Sequence, residues 1–201
     1  MHIKKTEIRN RVFQLEFDNQ LELASTFLRF EEFYESPKFK GKIFTLKEFK
    51  EWYTKEKGAF TYYEDWPAFN IPSSVLKPFI EGKFDPLSKA EKELISLFKN
   101  TTGIFYIIGV VAGADSFCNH ELAHALFFTQ PDYKKQVLIV LIKYDTSAIK
   151  QELRGMSGYC EEVLDDELNA WILTLSDELK AKPQKELKSE LEKLFLKFKS
   201  R

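Results

Sequence analysis

The pattern His-Glu-x-x-His in the second half of the chain combines the residue types of a catalytic metal site. His120 and His124 are four positions apart in a segment with a strongly helical pattern. On a helix this spacing places both imidazoles on one face, one turn apart, where both can bind a single Zn²⁺ ion. Glu121 then projects beside the metal toward a bound water, in the position of a general base.

Chance is a weak explanation for this pattern, because the chain contains only three histidines. Random placement gives on the order of 0.005 such pentapeptides in a chain of this composition. The remaining histidine, His2, lies at the chain terminus and is not expected to contribute. The alternative to a metal site is a pair of histidines that lie on a buried helix without a metal.

The His120-Glu121-x-x-His124 segment resembles the zinc-binding helix of the zincin superfamily of metallopeptidases. The resemblance extends over about residues 104–175, where a strand, a short loop of small residues and the motif helix follow one another. The sequence after His124 lacks the glycine and the distal histidine of the metzincins, which excludes that branch. A gluzincin-type site remains, and it implies that the third metal ligand is a carboxylate from a later helix.

The candidate carboxylates for a third ligand cluster within residues 159–171. A catalytic zinc ion usually has three protein ligands and an open fourth position, and no histidine follows His124. At about 100° per residue, Glu167 falls inside the apolar arc of its helix, where a carboxylate needs a partner. We therefore predict Glu167 as the third ligand. Asp166 or Asn169, at the edge of the arc or outside it, could accept a hydrogen bond from a ligand imidazole or lie on a solvated helix face.

The expected chemistry is hydrolysis of an amide bond. Zinc lowers the pKa of its bound water and polarises a carbonyl, while Glu121 takes the water proton and delivers it to the leaving amine. The oxyanion needs a further donor, for which Tyr106, Tyr144 and Tyr159 are candidates, with ordinary packing as the alternative for each. The strand Ile104 to Val111 is expected to pair with an extended peptide, as the edge strand of zincins does. A peptide or protein is therefore the expected substrate.

Composition and charge exclude several other classes of protein. The 201 residues include 30 basic and 31 acidic side chains, and the formal net charge of −1 gives no global case for binding nucleic acid or an anionic membrane. The longest apolar run, residues 104–114, is too short to cross a bilayer, and the start of the chain lacks an export signal. We therefore expect a cytoplasmic protein without nucleic-acid or membrane partners.

The two cysteines, Cys118 and Cys160, are too few for a disulfide-built secreted scaffold. They flank the proposed ligands in sequence. Alternative metal ligands, a redox-sensitive pair and buried thiols are all open interpretations, of which buried thiols are the commonest in proteins.

Hydrophobic periodicity predicts a mostly helical chain with two strands, Arg11 to Phe17 and Ile104 to Val111. Capping boxes begin helices at Thr45 and Ser88. The aromatic segment Ala59 to Pro72 is predicted to be an extended loop or irregular strand, whose rings either pack it down or line a cleft. The predicted helices are Gln20 to Tyr34, Thr45 to Lys55, Ser74 to Glu81, Ser88 to Lys99, Ser116 to Thr129, Tyr133 to Tyr144, Ser147 to Met156, Glu161 to Leu179 and Gln184 to Lys199.

These elements predict an α+β fold that is predominantly helical, with a small sheet and a zincin-like metallopeptidase core. We expect a single domain over residues 1–201. Residues 1–100 should complete the sheet and wall the cleft, residues 101–180 should form the metal-binding core, and residues 181–201 should form a C-terminal helix.

The leading prediction is a zinc-dependent metallopeptidase or related amide hydrolase, with His120, His124 and Glu167 as ligands and Glu121 as general base. One alternative is a non-catalytic helical interaction protein with a structural metal site, which a closed set of four ligands including Cys118 or Cys160 would favour. Another is a metal-dependent hydrolase of a small molecule, which a narrow aromatic pocket within residues 59–69 would favour. The oligomeric state is left open.

Overall fold

The computed structural model describes residues 2–113, 118–156 and 159–200. This part of the chain is about 58% helical and contains a small four-stranded sheet, which confirms the α+β class. The strands are β1 (Ile3–Arg9), β2 (Val12–Phe17), β3 (Ala68–Pro72) and β4 (Tyr106–Val111). The helices are α1 (Gln20–Glu35), α2 (Leu46–Lys57), α3 (Tyr62–Asp65), α4 (Leu76–Ile80), α5 (Lys89–Phe98), α6 (Cys118–Thr129), α7 (Pro131–Leu141), α8 (Ser147–Met156), α9 (Leu164–Thr174) and α10 (Lys185–Lys199).

Contacts between residues divide the chain into two compact units, Met1–Phe117 and Cys118–Arg201. The first unit contains all four strands described, and the second consists of helices α6 to α10. The expected single domain stays a prediction. None of the helices in the described ranges is long and apolar enough to cross a membrane.

The sheet of the first unit has the strand order β1-β2-β4-β3. Strand β4 pairs with β2 in parallel along residues 106–111 and with β3 in antiparallel along residues 106–110. Both edges of β4 are therefore occupied, and the expectation that this strand offers a free edge to a peptide is wrong. The sequence analysis also missed the edge strand β1, because its side chains are mostly charged and exposed and do not show an apolar alternation.

Helix α1 packs against the sheet at Gly109, a residue of the inner strand β4. A Cβ atom built on Gly109 would lie 2.7 Å from Phe27 Cζ and 2.8 Å from Leu23 Cδ1, both on α1. The absence of a side chain at Gly109 therefore permits the close approach of helix and sheet. This approach lets Phe27 and Leu23, both fully buried, join the aromatic core of the unit.

The aromatic segment of residues 59–72 belongs mainly to that core. Tyr62 on α3 and Phe69 on β3 are each 2% exposed, and the Tyr62 ring contacts the ring of Phe49 edge to face. The packing interpretation is therefore confirmed for these two residues. The predicted irregular strand corresponds to β3, whereas the short helix α3 before it was not predicted. Both predicted capping boxes, at Thr45 and Ser88, are present.

The second unit is built around helix α9, which packs against α6, α8 and α10. Fully buried alanines on two of these helices, Ala123 on α6 and Ala170 on α9, leave room for a close approach of α6 and α9. The core also contains Leu126, Tyr133, Val137, Leu153, Leu168, Ile172, Leu179, Leu187 and Leu191. The side chains of α6 and α9 that face each other therefore lie at fixed positions in a packed interior.

Helix α9 is shorter than its apolar periodicity predicts. A 3₁₀ turn, Glu161–Val163, precedes it, and it ends at Thr174, after which Leu175 leaves the helical conformation. Lys182 then donates hydrogen bonds to the carbonyl oxygens of Ser176 and Asp177. Because Leu179 is still fully buried, the apolar pattern continues in the sequence although the helix does not.

Candidate metal centre

Two helices of the second unit bring the predicted metal ligands together. Helix α6 carries His120 and His124 on one face, and helix α9 carries Glu167. One ligand atom of each residue lies within 4.8 Å of the others, so this group could hold a metal ion. His124 and Glu167 are buried, with 2% and 4% of their surface exposed, and His120 is half-buried. Helical phase alone therefore identified the carboxylate that faces the histidines.

Polar contacts on the far side of each imidazole orient it: a hydrogen bond behind His120 and a carboxylate in ion-pair contact behind His124. His120 Nδ1 lies 2.8 Å from Thr174 Oγ1, and the Thr174 hydroxyl donates to the carbonyl oxygen of Ala170 at 2.8 Å. Because that hydroxyl proton is already used, the threonine oxygen accepts the Nδ1–H of His120. His124 Nδ1 lies 3.0 Å from the carboxylate oxygen Oδ1 of Asp166, which is also an acceptor. In the neutral rings both Nε2 atoms therefore carry lone pairs rather than protons.

The two Nε2 atoms face the same space. His120 Nε2 lies 3.3 Å from His124 Nε2, and His124 Nε2 lies 3.8 Å from Glu167 Oε1. Two ligand atoms bound to one tetrahedral zinc ion at about 2.0–2.1 Å lie about 3.3–3.4 Å apart. The separation of the histidine nitrogens fits this value, and the glutamate distance is slightly longer. The buried Glu167 Oε2 has no hydrogen-bond partner in the described structure, so the residues present fit a bound cation.

The charges around the histidines also favour a cation. Burial lowers the pKa of His124, but the negative charges of Asp166 and Glu167 outweigh burial and raise it well above its usual value. Burial, together with the positive charge of His124, lowers the pKa of His120 to about 3. Burial raises the pKa of Glu167 to about 7 and also raises that of Asp166, although His124 opposes both shifts. Without a metal, the cluster therefore holds one positive charge on His124.

Glu121 lies beside these ligands without being one of the three that converge. It follows His120 on α6 and is 5% exposed. Its negative charge contributes to the raised pKa values of both His124 and Glu167, so its carboxylate lies within electrostatic range of both.

Of the three candidate tyrosines, Tyr159 alone contacts this centre among the described residues. A hydrogen bond from Tyr159 lowers the pKa of Glu167 and so opposes the effect of burial. The Tyr144 hydroxyl donates to Glu190 Oε1 at 2.7 Å. Tyr106, in the first unit, is fully buried and donates to Asn70. Packing and internal hydrogen bonds therefore account for Tyr106 and Tyr144.

The other polar residues of α9 have separate roles. Asp166 and Asn169 are 7% and 0% exposed, so the solvated-face interpretation is wrong for both. Asp166 faces His124, whereas Asn169 Oδ1 accepts a hydrogen bond from the Tyr133 hydroxyl at 3.3 Å. The neighbouring Asp165 forms an ion pair with Lys150 at 2.6 Å on a more exposed face. The two adjacent aspartates therefore lie on different faces of α9, Asp166 against His124 and Asp165 against Lys150.

Cys160 contributes no ligand to the group that the structure brings together. It is a half-buried thiol, and the group that could hold a metal consists of His120, His124 and Glu167 among the described residues. The side chain of Cys118 lies outside the described part of the chain. Ser116 and Phe117, at the predicted start of the motif helix, also lie outside the described residues.

Sequence reasoning missed two residues that contact His120. Thr174 accepts its Nδ1–H, and the Trp171 ring meets the imidazole edge to face, with the centroids 6.1 Å apart. Both lie on the helix face of Glu167, at four and seven positions further along α9. This i, i+4, i+7 spacing could have identified them from the sequence.

Comparisons with known proteins find no matching family model, no matching curated protein and no matching solved structure.

Proposed function

We propose that this protein is a zinc-dependent hydrolase of peptide or related amide bonds, with His120, His124 and Glu167 as metal ligands and Glu121 as general base. The observation that carries the proposal is the convergence of both histidine Nε2 atoms and Glu167 Oε1 on one space. The oxygen atoms behind the two rings keep the Nε2 atoms turned in that direction.

The donor set supports zinc and a catalytic use of it. Two imidazole nitrogens and one carboxylate are a common ligand set of catalytic zinc, and three protein ligands leave a fourth position for solvent or substrate. A Zn²⁺ ion bound there would lower the pKa of a coordinated water and polarise a substrate carbonyl. Because His124, Glu167 and Glu121 are buried, their electrostatic interactions act in a medium of low polarity and are stronger than in water.

The role of Glu121 is proton transfer between the attacking water and the leaving group. Its carboxylate accepts a proton from the water that attacks the carbonyl carbon, and then donates that proton to the amine nitrogen when the C–N bond breaks. Tyr159 donates a hydrogen bond to Glu167, which favours the charged form of the ligand carboxylate.

A peptide or protein substrate is proposed from this chemistry rather than from strand pairing. The interior position of β4 removes the free-edge argument. What remains is a metal position beside a buried carboxylate base, and this combination acts on a carbonyl with an amine leaving group.

The proposal is tested by the metal content of protein purified without added metal or chelator. Elemental analysis should find close to one zinc per chain in the wild type and in Glu121→Gln. His120→Ala, His124→Ala and Glu167→Ala should lose it. Asp165→Ala is the matched control for Glu167→Ala, because its carboxylate lies two positions earlier on the same helix and pairs with Lys150 instead. A wild type that contains no metal and takes up no added zinc would refute the proposal.

Activity is tested separately with a library of peptide amides. Wild-type protein should cleave members of the library, and Glu121→Gln should retain zinc but lose activity by at least about a hundredfold, since general base catalysis contributes about 10²–10⁴. Stoichiometric zinc with equal activity in wild type and Glu121→Gln would contradict the role given to Glu121. A fourth protein ligand, detected by X-ray absorption of the zinc, would instead support a structural metal site.

A further inference from the structure

An unpaired indole N–H lies next to the metal centre. Trp171 is four residues after Glu167 on α9, and its ring is nearly perpendicular, at 87°, to the ring of His120. Its Nε1 atom is buried and has no hydrogen-bond partner in the described structure. Burying an N–H group without an acceptor costs free energy, so such a group in a native protein calls for an explanation.

The burial of the ligands indicates from which side a small molecule reaches the metal position. His124 and Glu167 are buried, whereas His120 is half-buried and is thus the ligand with solvent access. Trp171 and Thr174, the two α9 residues that contact His120, are half-buried as well. Thr174 is occupied by the imidazole and by a backbone carbonyl. Trp171 therefore brings a buried donor without a partner next to His120, the ligand with solvent access.

We propose that the indole N–H of Trp171 donates a hydrogen bond to an oxygen atom of the ligand that occupies the open metal position. This inference rests on the proposed function and names the chemistry of that ligand: a carbonyl, carboxylate or hydroxamate group, with an oxygen acceptor next to the atom that binds the metal. In amide hydrolysis the same N–H is the donor to the carbonyl oxygen as negative charge develops on it. This is the role for which the sequence analysis considered tyrosines.

The first experiment measures binding of acetohydroxamate to the Co²⁺-loaded protein through the visible spectrum of the cobalt. Trp171→Phe keeps an aromatic ring beside His120 and removes the N–H. We expect its Co²⁺ affinity to stay within about twofold of wild type and its affinity for acetohydroxamate to fall by about tenfold or more, as for a lost hydrogen bond to a charged oxygen. Trp66→Phe, the same change in the first unit, should bind acetohydroxamate as tightly as wild type.

A second measurement does not depend on the folding of Trp171→Phe. The chain has three tryptophans, so the double variant Trp52→Phe/Trp66→Phe leaves Trp171 as the single fluorophore. Zn²⁺ is not a quencher, and addition of acetohydroxamate to the zinc-loaded double variant should shift the Trp171 emission with the same midpoint as binding. An unchanged emission at saturation would overturn the proposal.

The outcomes separate this inference from the proposed function. Protein that binds Co²⁺ and acetohydroxamate equally well with and without the indole N–H retains the metal centre and overturns the role of Trp171. Protein that binds neither Co²⁺ nor Zn²⁺ overturns both. A loss of Co²⁺ affinity in Trp171→Phe equal to its loss of acetohydroxamate affinity would make Trp171 a support for His120 alone, and would also overturn the proposal.

Discussion

Replacing Thr174 by valine tests whether the orientation of His120 depends on a single hydroxyl. Valine has nearly the shape of threonine but cannot accept the Nδ1–H of the imidazole, which lies 2.8 Å from Thr174 Oγ1. The ring then has two options. It keeps the proton on Nδ1 without a partner, or it moves the proton to Nε2, where it faces His124 Nε2 at 3.3 Å and blocks the lone pair that would bind the metal.

Either protonation form of the His120 ring should weaken zinc binding. A buried donor without a partner costs about 1–3 kcal/mol, and loss of a hydrogen bond behind a ligand histidine typically weakens metal binding by about 10–100-fold. Because His120 is half-buried, water can replace part of the lost hydrogen bond. We therefore expect zinc affinity to fall by about tenfold, at the lower end of this range. Serine keeps the acceptor, so Thr174→Ser should stay within about threefold of wild type.

The assay is a competition for Zn²⁺ between the protein and a chromophoric chelator at constant pH. Thermal unfolding of the metal-free proteins, followed by circular dichroism, checks that the three proteins are comparably stable before zinc is added. Equal zinc affinities of wild type, Thr174→Ser and Thr174→Val would refute the reasoning, because the hydroxyl would then have no part in presenting Nε2.

Three further predictions concern other residues. Asp166→Asn should weaken zinc binding by about tenfold in the same competition, whereas Asp165→Asn should not change it, because only Asp166 faces His124. Gly109→Ala should lower the free energy of unfolding, measured in urea, by about 1–3 kcal/mol, because the new methyl group would overlap Phe27 and Leu23. Equal stability of the variant and the wild type would show that α1 can move away from the sheet without cost. Glu32, whose pKa burial raises to about 7, keeps its proton in the folded state between about pH 4.5 and 7 while the unfolded chain has lost it. The free energy of unfolding of the wild type should therefore fall as pH rises through this window. Glu32→Gln should reduce that fall by about 1–3 kcal/mol between pH 4.5 and 8. Parallel curves of unfolding free energy against pH for the two proteins would contradict this prediction.

The candidate metal centre was largely predictable because its signals are local. The spacing of His120 and His124 fixes their common face once the segment is helical, and the same rule of phase selects Glu167 among several acidic neighbours. The helix starts at Thr45 and Ser88 were predictable for the same reason, since a capping box needs only four consecutive residues. Each of these inferences uses the geometry of one helix and no long-range contact.

The features that sequence reasoning missed depend on residues far apart in the chain. Whether β4 is an edge or an interior strand is decided by β2 and β3, which lie roughly ninety and forty residues before it. The role of Thr174 depends on the rotation of the His120 ring. For Asp166 the sequence left two alternatives open, contact with a ligand imidazole or a solvated face, and the face of α9 that meets α6 decides for the first. The end of α9 was missed because Leu179 continues the apolar pattern after the backbone has turned.

The buried face of α9 carries polar groups that packing alone does not explain. Asp166, Glu167 and Asn169 are each under one-tenth exposed and lie among leucines and isoleucines that would pack equally well against more of their own kind. Removing an unpaired carboxylate from water costs several kcal/mol, and the charge of Asp166 further raises the pKa of Glu167. A proton on His124 offsets part of this cost, but it leaves Glu167 Oε2 without a partner. A divalent cation between the two Nε2 atoms and Glu167 would balance the carboxylate charges more fully than that single proton does. Because one ion would relieve all of these unfavourable contacts at once, we favour a metal centre over a buried polar cluster with a purely structural role.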